Sequence, residues 1–174
     1  MEKFLDFIVR AGSLDRRYIF VVIALVVMLP LFFPLNLPIR PTVSSQTIYD
    51  TVEKLEAGDK ALVSFEYGPS TKPEIHPMAV ALLRHLFEKD VKVYITCLWP
   101  DGQFMAMEAI QQVAVNQYHK VYGEDYVLLG FRPGNEAVIK GLVSNFRKVY
   151  TVDAQGNFLD DIPMMNGINQ VADF

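Results

Sequence analysis

The sequence predicts an α/β fold in which an N-terminal transmembrane helix precedes a three-layer, Rossmann-like domain with a small parallel sheet. An uncharged, apolar run of eighteen residues extends from Tyr18 to Leu35, as expected for a membrane-spanning helix. Over residues 41–174, short apolar runs alternate with amphipathic stretches, as they do in α/β domains. The 174-residue chain is 51% hydrophobic and 21% charged, with a mean hydropathy of +0.19, which excludes a disordered chain.

The predicted transmembrane helix and its exit occupy residues 16–40. The uncharged run extends as far as Arg40, and eighteen to twenty-two helical residues cover roughly 27 to 33 Å, the thickness of a bilayer core. Pro30 and Pro34 lie in its last third, where each removes a backbone donor. They predict a kink, or an end of the regular helix near Phe33.

The basic residues around this run predict its orientation. Arg16 and Arg17 precede the run and Arg40 follows it, so the positive-inside rule places the N-terminus in the cytoplasm. We therefore expect a single-pass protein of the cell (inner) membrane, with residues 41–174 in the periplasm or outside the cell. A cleaved signal peptide is the alternative, with VSS at 43–45 as a permissive cleavage site, but the long preceding region and the length of the run favour a retained anchor.

Residues 1–15 predict an amphipathic juxtamembrane segment. Phe4, Leu5, Ile8 and Val9 fall on one helical face. Such a face suits a helix lying among lipid headgroups, and it equally suits packing against a partner subunit.

Three strands alternate with helices in the predicted extramembrane domain, residues 41–174. The strands are expected at Ala61–Tyr67, Val91–Trp99 and Tyr126–Phe131. The helices are expected at 47–56, 78–89, 103–121 and 135–149, and a further short strand at 149–152. Because the strands are almost continuously apolar, they predict a parallel sheet covered on both faces.

A sheet of three strands leaves an exposed edge, which proteins usually cover. Either another chain covers that edge, or the domain is incomplete and the 174 residues are part of a longer product.

The charge distribution and the cysteine count exclude several classes of function. Residues 1–40 carry a net charge of +2 and the remainder −6. An acidic domain argues against a nucleic-acid partner. The single cysteine, Cys97, excludes an intrachain disulfide and a cysteine-cluster metal site.

The loops after the strands hold the candidate site residues, because ligands bind at the carboxyl ends of parallel strands. Cys97, His76 and Glu66 are candidates for catalysis, and Lys72 and Arg132 for binding an anionic ligand. Each has a plainer interpretation. Cys97 suits a small buried apolar group, and the two basic residues suit a solvated loop rim or a subunit contact.

No sequence motif supports a particular reaction. Ser70, His76 and Asp101 would supply a Ser-His-Asp set, but the chain has no G-x-S-x-G elbow. The loop GPSTKPE after the first strand lacks the glycine spacing of a pyrophosphate site. The three histidines, His76, His85 and His119, lie too far apart in sequence to form a helical metal pair. We therefore expect neither a cofactor nor a metal.

Two segments, LEAGDKALVSFEYGPSTKPEIHPMAVALLRHL and YVLLGFRPGNEAVIKGL, together with the single N-terminal span, carry a resemblance. The chain resembles a group of uncharacterised bacterial and archaeal membrane-anchored proteins with a Rossmann-like extramembrane domain. Its architecture is distantly similar to the auxiliary components of gliding-type ABC transport systems. The resemblance implies a further strand after the position of Phe174, and it implies no catalytic residue.

Two functions follow as hypotheses. The first is a non-catalytic, membrane-anchored accessory or scaffold subunit, whose partners are the lipid bilayer and other membrane-protein subunits, including further copies of itself. The alternative is a membrane-tethered ligand-binding or hydrolytic domain that acts through the strand-end loops. It requires at least three of the candidate side chains to converge on one pocket.

Overall fold

The computed structural model describes residues 15–33 and 40–174, which belong to two compact units that divide between Thr42 and Val43. The first unit contains helix α1, Arg16–Phe32. Asp15 caps it by accepting a hydrogen bond from the Arg17 backbone N–H at 3.0 Å. No side chain of α1 is buried within the unit.

Helix α1 ends before the predicted span does. It has 17 residues, about 25 Å of helix, and Pro30 lies in its last turn. No helix within residues 15–33 and 40–174 combines the length and the apolar character that crossing a bilayer requires. The transmembrane helix predicted over residues 16–40 is therefore not found there. Residues 34–39, and the amphipathic segment predicted at 1–15 except Asp15, lie outside the described residues.

The second unit alternates helices and strands. Its helices are α2 Val43–Glu53, α3 Lys72–Glu88, α4 Gly102–Ile110, α5 Asn135–Ser144 and α6 Phe146–Val149. A π-helical turn, Gln111–Val115, continues α4. The strands are β1 Lys60–Ser64, β2 Lys92–Cys97 and β3 Tyr126–Phe131. Three 3₁₀ turns follow at Leu159–Asp161, Pro163–Met165 and Val171–Asp173.

The strands form one sheet in the order β1-β2-β3, and both pairs are parallel. Lys60 aligns with Lys92, and Val93 aligns with Tyr126. The register shifts between Ile95 and Thr96, opposite a bulge where Gly130 has a φ of +81°. The predicted α/β class with a small parallel sheet is confirmed.

Each face of the sheet has its own apolar core. On one face, Val93, Ile95 and Cys97 pack with helices α3 and α4. On the other, Tyr94 and Val127 pack with α5, α6 and the segment that follows them. Covering on both faces explains why the strands are apolar at consecutive positions.

Several predicted boundaries are wrong: the helix predicted at 103–121 ends at Val115, and the helix predicted at 135–149 is interrupted at Asn145. Helix α3 begins at Lys72, inside the segment predicted as a loop, because Pro73 stands at a first-turn position where a proline is tolerated. The strand predicted at 149–152 does not form. The chain is helical up to Val149, and Val152 makes only an isolated antiparallel bridge with Phe158.

Candidate functional site

Cys97 ends strand β2 with its side chain in the core. Its exposed fraction is 0%, and it lies on the same face of the strand as Ile95. Burial raises the pKa of the thiol to about 12, and the nearby Glu66 carboxylate acts in the same direction. The thiol is therefore neutral at physiological pH, which does not suit a nucleophile.

His76 pairs with a tyrosine inside the fold. Its Nδ1 lies 2.7 Å from the hydroxyl of Tyr67, and its buried Nε2 has no hydrogen-bond partner among the described residues. Burial raises the pKa of Tyr67 to about 12, with a further contribution from the Glu108 carboxylate. Neither ring nitrogen bonds to Ser70 or Asp101, so the Ser-His-Asp set, which no sequence motif supports, is not assembled.

Glu66 joins the loops that follow β1 and β2. Its Oε1 accepts a hydrogen bond from the Leu98 backbone N–H at 2.9 Å, and it also accepts one from the Ser64 hydroxyl. Gly102 closes the same junction, since a Cβ at this position would lie 2.0 Å from the Phe65 carbonyl oxygen. This carboxylate positions two strand ends.

Lys72 is paired across two helices. Its Nζ donates to both carboxylate oxygens of Glu108, at 2.6 and 2.7 Å. The hydrogen bond from Lys72 lowers the pKa of Glu108. The ammonium group that the sequence predicts as an anion-binding group therefore connects the first turn of α3 to α4.

Arg132 holds the chain that follows α6. Its guanidinium donates to the carbonyl oxygens of Val149 at 3.2 Å, Val152 at 2.9 Å and its own neighbour Phe131 at 3.3 Å. It also lies 4.9 Å from the centroid of the Tyr150 ring, a cation–π distance. These contacts bind the segment after α6 to the end of β3.

The structure therefore does not bring the five candidates to one pocket. Glu66 and Cys97 lie at the β1–β2 junction, and Arg132 follows β3, where its backbone N–H donates to the Cys97 carbonyl at 3.1 Å. His76 and Lys72 lie on the α3 side, where they are bonded to Tyr67 and Glu108. Within residues 15–33 and 40–174, no three His, Cys, Asp or Glu side chains are grouped closely enough to hold a metal ion.

A groove of about 1020 Å³ lies beside β1, between helices α2 and α3. We call it the β1 groove. Its walls are mainly apolar and include Ile48, Tyr49, Val63, Phe65, Met78 and Leu82. Ile48 is 55% exposed, Tyr49 53% and Met78 65%. Large apolar groups exposed along a concave surface are typical of interaction sites.

Charged residues fix one end of the β1 groove. The His85 ring stacks on Tyr49 with centroids 4.8 Å apart, and its Nε2 lies 2.9 Å from Oε1 of Glu53. Lys89 donates to the Glu53 carbonyl oxygen at 2.7 Å. The hydrogen bond from His85 lowers the pKa of Glu53, and one from Tyr49 adds to it. These contacts hold the end of α2 against α3.

The two edges of the sheet differ. At β3, the Ala154 backbone N–H donates to the Leu128 carbonyl oxygen at 2.9 Å, and Asp153 fixes the adjoining turn by accepting from the Tyr122 hydroxyl at 2.6 Å. Strand β1 pairs only with β2 among the described residues. The β1 groove therefore lies along the open edge.

Sequence reasoning missed the β1 groove because it depends on where α2 packs. The exposed Ile48 and Tyr49 fall in a stretch that the sequence predicts correctly as a helix, but helical periodicity does not distinguish a wall of a groove from a core face.

Comparisons with known protein families, with curated proteins and with solved structures found no match.

Proposed function

We propose that this chain is a non-catalytic, membrane-anchored accessory or scaffold subunit of a larger membrane assembly, and that its α/β unit holds a partner protein in the β1 groove. The groove is the observation that carries the proposal. It is large and mainly apolar, and it lies beside the edge of β1 that pairs with no other strand in the part of the chain that the structure describes. Aromatic residues and methionine are enriched in protein interfaces, and Tyr49 and Met78 line this one.

Membrane anchoring is supported by the apolar N-terminal region. Leu31 and Phe32 are 76% and 75% exposed in helix α1, and an exposed apolar helix is stable only when lipid or protein covers it. The helix alone is shorter than a bilayer, so the proposal rests on the longer uncharged run from Tyr18 to Ile39. The basic pair before this run supports a cytoplasmic N-terminus.

The alternative function, ligand binding or hydrolysis at the strand ends, has less support. It depends on convergence of at least three candidate groups on one pocket, and the side chains of Glu66, Lys72, His76 and Arg132 are already bonded to partners within the fold. Glu66 is the one candidate that also lines the β1 groove.

Thiol labelling tests the anchor. Cys97 is buried, so a membrane-impermeant maleimide added to intact cells should label the Ser70→Cys variant and leave the parent chain unlabelled. A cysteine introduced at Ser13 should become labelled only after the cells are opened. Extraction of the chain by alkaline carbonate, or equal labelling of both variants in intact cells, would contradict the proposed topology.

Co-purification in mild detergent tests the accessory role. The tagged full chain should elute with a partner protein, and Ile48→Asp in the wall of the groove should release that partner. The matched control is Val43→Asp, which places the same charge on the same helix at a residue that is 86% exposed and outside the groove. A stable monomer with no partner, or equal retention in both variants, would refute the proposal.

A further inference from the structure

The main chain of β1 is ready to accept another strand. The Asp59 carbonyl accepts from the Lys92 N–H at 2.7 Å, and the Phe65 N–H donates to the Thr96 carbonyl at 3.0 Å. Odd-numbered residues of this strand therefore bond to β2. By the alternation of a parallel ladder, Lys60, Leu62 and Ser64 direct their N–H and C=O groups away from the sheet.

These outward groups have no main-chain partner among the described residues. The edge at β3 is bonded by Ala154, whereas no strand within residues 15–33 and 40–174 pairs with the outer edge of β1. An open edge is a template for an extended chain.

The β1 groove lies where the side chains of an added strand would point. A strand beside β1 would lie about 4.8 Å from it. Alternate side chains would then stand next to Val63 and Phe65, under the exposed rings and chains of Ile48, Tyr49 and Met78. Apolar residues at every second position fit this arrangement.

Charges at the two ends of β1 specify the occupant further. Lys60 opens the strand and Glu66 lies two residues after its end, about 20 Å apart along an extended chain. Lys60 also donates to the Asp173 carbonyl at 3.0 Å, which holds its ammonium group in place. A complementary strand carries an acidic residue beside Lys60 and a basic residue beside Glu66, since like charges across a strand pair are destabilising.

We propose that the β1 groove binds an extended segment of a partner protein, which pairs with β1 as a fourth strand. The segment is about seven residues long, is apolar at alternate positions, and bears an acidic residue at the Lys60 end and a basic residue at the Glu66 end. This inference rests on the proposed accessory function and names the mode of binding.

A proline substitution tests strand addition without disturbing the existing ladder. Ser64 is exposed, and its N–H points away from β2, where a proline is tolerated on an edge strand. Ser64→Pro should reduce recovery of the partner about tenfold or more, because it removes one main-chain donor and obstructs the incoming strand. Ser64→Ala loses the hydroxyl bond to Glu66 but keeps the donor, so it should retain the partner.

Amide hydrogen exchange of the full chain supplies the second measurement. In the purified assembly, the amides of Lys60, Leu62 and Ser64 should exchange more slowly than in the free chain, in the alternating pattern of a strand pair. Circular dichroism checks that both Ser64 variants are folded.

The outcomes separate the two proposals. Strand addition is supported if Ser64→Pro loses the partner while Ser64→Ala keeps it, and if alternate β1 amides exchange more slowly in the parent assembly than in the free chain. A partner that Ser64→Pro retains refutes strand addition and leaves the accessory role standing. Unchanged β1 exchange in the assembly, or an occupant that is a lipid or a second copy of this chain, also overturns the inference. Absence of any partner removes both proposals.

Discussion

Replacing Arg132 by methionine removes one of the attachments between the end of β3 and the segment that follows α6. Three carbonyl oxygens lose a charged donor, and the Tyr150 ring loses a cation. Hydrogen bonds to charged groups contribute about 1.5 to 3 kcal/mol each, and an exposed cation–π contact about 0.5 to 1 kcal/mol. Because Arg132 is half-buried and water can replace part of each bond, we expect a loss of about 2 to 4 kcal/mol in the free energy of unfolding.

Urea and thermal unfolding followed by circular dichroism measure this loss. For a unit of this size, each kcal/mol corresponds to about 3 to 4 °C in Tm, so Arg132→Met should melt roughly 6 to 16 °C below the parent chain. The Ala154 amide, which bonds to β3, should also exchange faster.

The matched control is Lys140→Met. Lys140 forms an exposed ion pair with Glu136 one helical turn away, so its loss should cost less than about 0.5 kcal/mol. If Arg132→Met is as stable as this control, Arg132 does not close the β3 edge, and a role in binding an anionic ligand becomes the better explanation for it.

Three further predictions concern the core and the ends of the groove. Gly102→Ala should lower the free energy of unfolding by about 3 kcal/mol, because the new Cβ would meet the Phe65 carbonyl oxygen. Gly156→Ala is the control and should lose about 1 kcal/mol, because its φ is +89° but the space around it is open. Equal losses in urea unfolding would contradict the close contact at Gly102. Cys97 should resist iodoacetamide at pH 8 until the chain unfolds, because burial holds its pKa near 12; rapid alkylation of the folded chain would refute this. The hydrogen bond from His85 lowers the pKa of Glu53, so the stability it supplies is present above the ordinary carboxyl pKa and disappears as the pH falls through the lower folded value. As the pH is lowered below about 4.5, the free energy of unfolding should therefore fall less in Glu53→Gln than in the parent chain. Parallel pH profiles of the two proteins would show that the His85–Glu53 contact does not contribute to stability.

Much of the fold was predictable because its signals are local. The β-branched and aromatic run of β2, and the apolar faces of the helices, follow directly from the order of residues. The start of α3 was not predictable from local signals, because the two prolines in this segment favour a loop. Pro73 is nevertheless compatible with the helix, since it lies in the first turn, where the missing N–H costs nothing.

The candidate site was less predictable, for two different reasons. The burial of Cys97 had a readable signal, since it shares its strand face with Val93 and Ile95 and alternation places all three in one core. The role of Arg132 had none, because its carbonyl partners lie 17 and 20 residues further along the chain. The open edge of β1 likewise depends on which segments return to the sheet, and this is a property of the tertiary structure.

Photo-crosslinking in intact membranes tests the central claim, that the β1 groove faces a partner protein. A photoreactive amino acid at Met78, in the wall of the groove, should crosslink to one distinct protein. The same probe at Val143, which is 60% exposed and outside the groove, should not. Crosslinking from both positions alike, or from Met78 to lipid alone, would contradict the account.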